Sequence, residues 1–238
     1  MDNIINIENY NLKLGNFSLK NINLEIKEGE IFAILGKTGS GKTVLLESIA
    51  GFYNHGDGII YIKDTPVNDI YVCDRNISFV YQDYALFPHM TVFDNIAYGL
   101  KMKKFKKHDQ IKIVNDMAKL LSIENILKKY PGTISGGEKQ RTALARALVL
   151  NPQILLMDEP FSALDPSTKN NMYEKIKSLH KKFKCTIVFV THDFNEARKI
   201  ADRIGIISNG TLKTIRNSQN LFDPYEDPEI NNFLGIIT

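Results

Sequence analysis

Short runs of apolar, mostly β-branched residues recur along the chain and alternate with stretches in which apolar residues return at steps of three and four. The runs Ile31 to Leu35, Ile77 to Tyr81, Ile154 to Met157, Ile187 to Thr191 and Ile204 to Ser208 are continuous. They predict strands covered on both faces, as in a parallel sheet between helices. Upstream, the alternation Ile22-Asn23-Leu24-Glu25-Ile26 predicts a strand with one wet face, and Glu28-Gly29 the turn that follows. Between Asp83 and Thr133 such runs vanish, and Ile111, Val114, Met117, Ala118 and Leu121 fall at helical spacing. The expected fold class is α/β: a mostly parallel sheet, an antiparallel β subdomain and an inserted α-helical subdomain at about residues 84–150 of a single domain 1–238. No internal repeat or low-complexity linker interrupts it.

Composition changes this picture little. At 43% hydrophobic and 24% charged residues the chain has ordinary globular usage, which argues against a disordered or collagen-like protein. The net charge is only +3, and the densest basic run, Lys101 to Lys107, contains Phe105 and reads as a solvated helical face. No nucleic-acid partner is expected. Cys73 and Cys185 form no CxxC pair, so neither a disulfide framework nor a zinc site is suggested, and a reducing compartment fits best. No apolar stretch approaches the ~18 residues of a spanning helix, and Met1-Asp2-Asn3 lacks a basic start and an apolar signal core. The chain itself is expected to be soluble and unexported.

Chemistry enters at Gly36-Lys37-Thr38-Gly39-Ser40-Gly41-Lys42-Thr43, a complete GxxxxGK[ST] directly after the first apolar run. It should open a helix, with Val44 in its first turn, that Gly51 ends. Glycines let backbone N–H groups wrap phosphate oxygens, and the helix start adds its positive dipole end. Lys42 would neutralise phosphate charge and Thr43 would offer its hydroxyl to Mg²⁺. The alternative is a chance glycine-rich turn, but the strand–loop–helix context favours a P-loop NTPase core.

Further on, Ile154 to Met157 leads into Asp158-Glu159 and then Pro160. Adjacent carboxylates point differently and can divide roles: Asp158 holding Mg²⁺, Glu159 accepting a hydrogen bond from an attacking water. A plain acidic helix start is the alternative. Gln82 and His192 each follow an apolar run. If these strands are parallel, all of these residues collect at carboxyl edges, where open α/β sheets bind ligands. Taken alone, a histidine or glutamine there is ordinary polar surface.

Ser135-Gly136-Gly137-Glu138-Lys139-Gln140 then precedes the acidic pair, and with it the chain resembles ABC ATPases from about Ile4 to Phe233-Leu234-Gly235. That family's order of motifs corresponds here to Gly36 to Thr43, Gln82, Ser135 to Gln140, Ile154 to Glu159, Ser162 to Asp165, and His192. Ile134 and Glu138 depart from the commoner LSGGQ. Ser135 can cap a helix running through Arg141, Leu144, Ala145 and Leu148, a second anion-binding helix start. The resemblance implies a head-to-tail homodimer in which Ser135, Gly136, Gly137 and Glu138 complete the partner's ATP site. It also implies Gln82 as a metal contact, Gln82 and His192 beside Glu159 in catalysis, Asp165 in coupling the two sites, and an aromatic stacked on adenine, Phe17 first and Tyr10 second. Either aromatic has a plain core role as its alternative.

The stretch Tyr81 to Val92 is similar to importer ATPases, especially those serving molybdate, tungstate and sulfate. That likeness implies MgATP hydrolysis at the cytoplasmic face of a membrane, permease subunits seated near Phe87 and Tyr98, and a solute-binding protein beyond them. Such importers often carry a further C-terminal regulatory domain; the sequence stops soon after Gly235, so none is expected. A DNA-repair type of ABC ATPase would need a long insertion between Gln82 and Ser135, a translation-type one a second P-loop, and a P-loop kinase would have no use for Ser135-Gly136-Gly137.

Overall fold

The computed structural model describes residues 2–53 and 55–236; Met1, Asn54, Ile237 and Thr238 lie outside it. In chain order the elements are β1 (Asn3–Leu14), β2 (Phe17–Lys27), β3 (Ile31–Leu35), α1 (Lys42–Ala50), β4 (Asp57–Ile62), β5 (Thr65–Pro66), β6 (Ile77–Val80), α2 (Val92–Met102), α3 (Lys107–Leu121), α4 (Gly136–Leu148), β7 (Ile154–Asp158), α5 (Pro166–Phe183), β8 (Thr186–Thr191), α6 (Phe194–Ile200), β9 (Arg203–Ser208), β10 (Thr211–Asn217) and α7 (Pro228–Leu234). They fall into two units, one of Met1–Arg75 with Thr186–Thr238, the other of Asn76–Cys185.

In the first unit β2, β1, β4 and β5 form an antiparallel sheet in that order. The alternation on β2 works as the pattern requires: Ile22, Leu24 and Ile26 are buried while Asn23 and Glu25 are exposed. The same unit holds a parallel set. β3 pairs in parallel with both β8 and β9, and β10 closes antiparallel on β9. Every residue of β3 and β8 is buried, which is why their sequences run apolar without alternation.

In the second unit β6 pairs in parallel with β7, and α2, α3 and α4 pack on one another. The strand expected to reach Tyr81 ends at Val80. On α3 the residues Val114, Met117, Ala118 and Leu121 are buried, but Ile111 is 43% exposed. Periodicity gives the face of a helix, not the point along it where packing begins. The run Lys101 to Lys107 is solvated, but it is not one helical face: Lys101 and Met102 end α2, Lys107 begins α3, and residues 103–106 connect the two. α2 closes in a Schellman turn, with Lys104 at φ 57, its N–H donating to Lys101 O (3.0 Å) and that of Phe105 to Leu100 O (3.0 Å).

Candidate functional site

Leu35 at the end of β3 lies opposite Thr191 at the end of β8, so Gly36 and His192 both step off carboxyl ends of paired parallel strands. The loop that follows is shaped by its glycines. A Cβ on Gly36 would lie 2.4 Å from Ile207 O, and Gly41 has φ 106, a region L side chains avoid. α1 starts with no side-chain cap, leaving its first N–H groups directed at the loop. Lys42 is only 4% exposed, and its Nζ donates to Lys37 O at 3.1 Å, bridging the loop from within. Ser40 Oγ is buried without a hydrogen-bond partner, an orphaned donor that a phosphate oxygen would satisfy. Thr43 and Val44 are half-buried in the first turn of α1, while Lys37, Thr38 and Gly39 are exposed at the rim.

Phe17 is half-buried, and its ring edge stands where a Cβ on Gly41 would come within 2.5 Å of Cζ, so this aromatic borders the loop. Tyr10 does not. It is 1% exposed, packs against Gly56, and burial pushes its phenol pKa up, so the second choice for an adenine platform is a core residue. Tyr10 sits in β1 with its side chain on the covered face, the plain core role that is its alternative. His192 is exposed at a turn held on both sides: Thr191 Oγ1 donates to buried Glu196, and Asp193 caps α6 by accepting from the N–H groups of Asn195 (2.8 Å) and Glu196 (3.3 Å).

The second unit carries the other candidates. Val80 pairs with Met157, and just beyond them Tyr81, Gln82, Asp83, Asp158, Ser162 and Ala163 line an open cleft of about 660 Å³. Gln82 and Asp158 are thus brought together. Asp158 is buried, and Glu159 leaves β7 at φ 39, a strained conformation for a residue with a side chain. That turn is fixed by Ser162, whose N–H and hydroxyl both donate to Glu159 O (3.2 and 3.0 Å). Asp165 accepts from Thr168 N at 3.1 Å and so caps α5. An amide oxygen and a carboxylate are hard donors that suit Mg²⁺, which keeps part of its shell for phosphate oxygens and water. Among the described residues no group of three or more His, Cys, Asp or Glu side chains could hold a metal by itself.

The segment Ser135 to Gln140 opens α4 with a full capping box. Glu138 N donates to Ser135 Oγ (3.3 Å), while Ser135 N and Oγ donate to Glu138 Oε2 (2.8 and 2.9 Å). These bonds, the backbone one foremost, hold the Glu138 carboxyl below the usual carboxylate range. Beyond the nucleotide role that the resemblance implies for it, Glu138 is therefore a helix cap, and the Ser-x-x-Glu spacing is the sequence signal for that. Gly136 would meet nothing within 4 Å with a Cβ added, so packing within the chain does not require a glycine there. Gln140, fully buried, donates to Pro160 O and ties α4 to the turn after the acidic pair.

Phe87 and Tyr98 stack at 4.7 Å between ring centroids, with the Arg146 guanidinium 5.3 Å over the Phe87 ring. Two residues not singled out from sequence fix this corner. Arg146 donates to Tyr84 O (2.9 Å) and Ala85 O (2.8 Å), and fully buried Asn95 bonds both the N–H and the C=O of Phe87.

Residues 19–162 match the model of the ABC transporter family. The chain is 43% identical over 97% of its length to the sulfate/thiosulfate import ATP-binding protein CysA of Mesostigma viride, and 43% identical over 98% to the molybdate/tungstate import ATP-binding protein WtpC of Pyrococcus horikoshii. It spans 67% of each relative's length. Among solved structures it resembles the dimeric ATP-binding cassette MJ0796 in a post-hydrolysis state with ADP and Pi, at TM-score 0.80 and 33% identity, covering 90% of this chain and 98% of that one. No helix among the described residues is long and apolar enough to cross a membrane.

Proposed function

This chain belongs to the ABC transporter family of ATPases, and we propose from that premise that it is the ATP-hydrolysing subunit of an importer for an oxyanion such as sulfate, molybdate or tungstate. The observation that carries the ATPase reading is the loop Gly36 to Thr43, where left-handed glycines, an uncapped helix start, the buried Lys42 cation and the orphaned Ser40 hydroxyl converge on one anion-sized task. The import reading is supported by relatives named for that uptake over nearly the whole of this chain.

In this reading residues 1–238 form a single ATPase domain with a helical subdomain at about 84–150. The ATP phosphates lie in the loop, on the N–H groups from Gly36 through Val44 and the Lys42 ammonium, with Phe17 against the base. Thr43, Asp158 and Gln82 hold Mg²⁺, which supplies charge neutralisation to the phosphate oxygens. Glu159 orients the attacking water and draws on its proton, and His192 and Gln82 hydrogen-bond the reacting end. A second copy, arranged head to tail, lays Ser135, Gly136, Gly137 and Glu138 on the far side of the same nucleotide, which accounts for a glycine that the chain's own packing does not require. Permease subunits dock near Phe87 and Tyr98, so the protein works on the cytoplasmic face of the membrane, and a solute-binding protein feeds the permease.

The test is uptake. The chain is reconstituted with the permease that co-purifies with it and with the solute-binding protein of that system on the opposite side, and radiolabelled sulfate and molybdate are followed into vesicles supplied with MgATP on the side of this subunit. Uptake of either anion that stops with Glu159→Gln supports the proposal; ATP-dependent uptake of an unrelated solute alone refutes the oxyanion part, and absence of ATP-dependent transport refutes the importer.

A further inference from the structure

The phosphate loop has a second set of neighbours within its own unit. The hairpin between β9 and β10 backs it: Gly210 N donates to Ser40 O at 3.0 Å, while Gly210 O accepts from Lys20 N at 2.8 Å. α7 in turn holds that hairpin. Glu229 accepts from Ser208 Oγ and pairs with Lys213 Nζ at 3.4 Å. The helix is pinned from below by Asn231, which bonds both the N–H and the C=O of Tyr225 (2.9 and 2.8 Å), and by buried Ile230 and Leu234.

One more side chain of α7 leaves this scaffold and reaches the site. The Phe233 ring meets Phe194 edge-on at 5.2 Å between centroids, and the Lys37 ammonium stands 5.9 Å over its face. Lys37 is the second residue of the phosphate loop, and Phe194 is the first residue of α6, two positions after His192. Between them Lys37, Ile207, Ser208, Glu229 and Phe233 wall a cavity of about 30 Å³, room for about one water. A half-buried aromatic whose two ring contacts are the loop lysine and the turn beyond the histidine is more than filler.

We infer that Phe233 is a positioning residue for hydrolysis: through Lys37 and Phe194 it fixes the phosphate loop and the His192 turn in one register. The inference rests on the ATPase reading above and deepens it. A cation held over a ring gains from the ring's negative face, and an edge-to-face pair fixes the angle as well as the distance. With the ring gone, both segments keep their folds but lose their common support, and ordering them falls to the nucleotide.

Wild type, Phe233→Leu, Phe233→Tyr, Phe194→Leu, Lys37→Met and the double variant Phe233→Leu with Lys37→Met are compared for KM and kcat with MgATP, alongside thermal midpoints. Leucine keeps apolar bulk but removes the ring face; tyrosine keeps the face. The expected result is a rise of about two- to fivefold in KM for Phe233→Leu with a smaller fall in kcat, near-wild-type values for Phe233→Tyr, and a double variant with a smaller KM change than the product of its single changes. Wild-type kinetics in Phe233→Leu, tyrosine as damaging as leucine, or single effects that simply multiply would overturn the inference. If Phe233→Leu unfolds the protein, Phe194→Leu decides from the other side of the contact: the same rise in KM supports the role and unchanged kinetics overturns it. A wild-type protein that neither binds nor hydrolyses MgATP refutes the ATPase reading itself, an outcome distinct from active wild type with unaffected variants.

Discussion

Replacing Gly41 by alanine puts two separate costs on one position. Its φ of 106 is outside the range that L residues adopt freely, which costs about 1–2 kcal/mol. The new Cβ would also lie 2.5 Å from Phe17 Cζ and 3.0 Å from Leu19 Cδ2, an overlap worth about 1–3 kcal/mol if the ring has to move. For a chain of this size that sum, about 2–5 kcal/mol, lowers the melting midpoint by about 4–20 °C. Gly39 supplies the control, because at φ 80 its added Cβ meets nothing within 4 Å and only the backbone cost, about 1–2 kcal/mol, applies. The pair Phe17→Leu with Gly41→Ala should recover part of the lost stability by making room. It should not recover ATP affinity, since the loop N–H groups remain displaced and the adenine platform is gone. Calorimetric melts and fluorescent-ATP titrations of the four proteins make the comparison. Equal midpoints for the two alanine variants, or ATP affinity of Gly41→Ala within twofold of wild type, would refute this account of the loop.

Other expectations follow from the same geometry. Glu159→Gln should bind MgATP but turn it over far more slowly and accumulate as a dimer, because an amide cannot take up a proton from water; light scattering and phosphate release check this, and near-normal turnover contradicts it. Phe87→Asp should keep nucleotide affinity yet lose co-purification with permease subunits, since it sets a carboxylate against the Tyr98 ring and under a surface meant for apolar contact; undiminished assembly would remove the docking role. The Glu138 cap should be pH-dependent. Its folded carboxyl sits below the ordinary value, so the stability it adds is present above about pH 4.5 and is lost as pH falls through the folded value. Melting midpoints of Glu138→Gln should therefore drop less than wild type between about pH 6 and pH 3, and parallel curves would contradict the cap.

Much of this could be read from residues alone, for identifiable reasons. β3 and β8 announced themselves because burial on both faces forces unbroken apolar runs, and the glycines of the phosphate loop are legible because no other residue tolerates Gly41's backbone. What stayed hidden depends on which surfaces meet. Tyr10 and Phe17 are both aromatic and both near the loop in sequence, yet only the fold puts Tyr10 against Gly56 and Phe17 beside Gly41. The Lys101 to Lys107 run has a helical composition, but two hydrogen bonds after Met102 end α2 there and make residues 103–106 a connector to α3. Arg146 and Gln140 serve backbone carbonyls far along the chain, and no local pattern marks such a partner. The Glu138 capping box, by contrast, was legible in its Ser-x-x-Glu spacing.

In the proposed dimer two copies of this chain share two MgATP sites, each made of one copy's phosphate loop and the other's Ser135 segment. Its most direct measurement is the steady-state ATPase rate of a mixture of two defective proteins, Lys42→Ala, which cannot engage phosphate, and Ser135→Arg, which blocks the partner's site. Each alone should be inactive. In the mixture, half of the sites in mixed dimers join an intact loop to an intact Ser135 segment, so activity should reappear, with a dependence on protein concentration that reports association. Activity in Ser135→Arg alone, or a mixture as inactive as its components while each still dimerises, would contradict it.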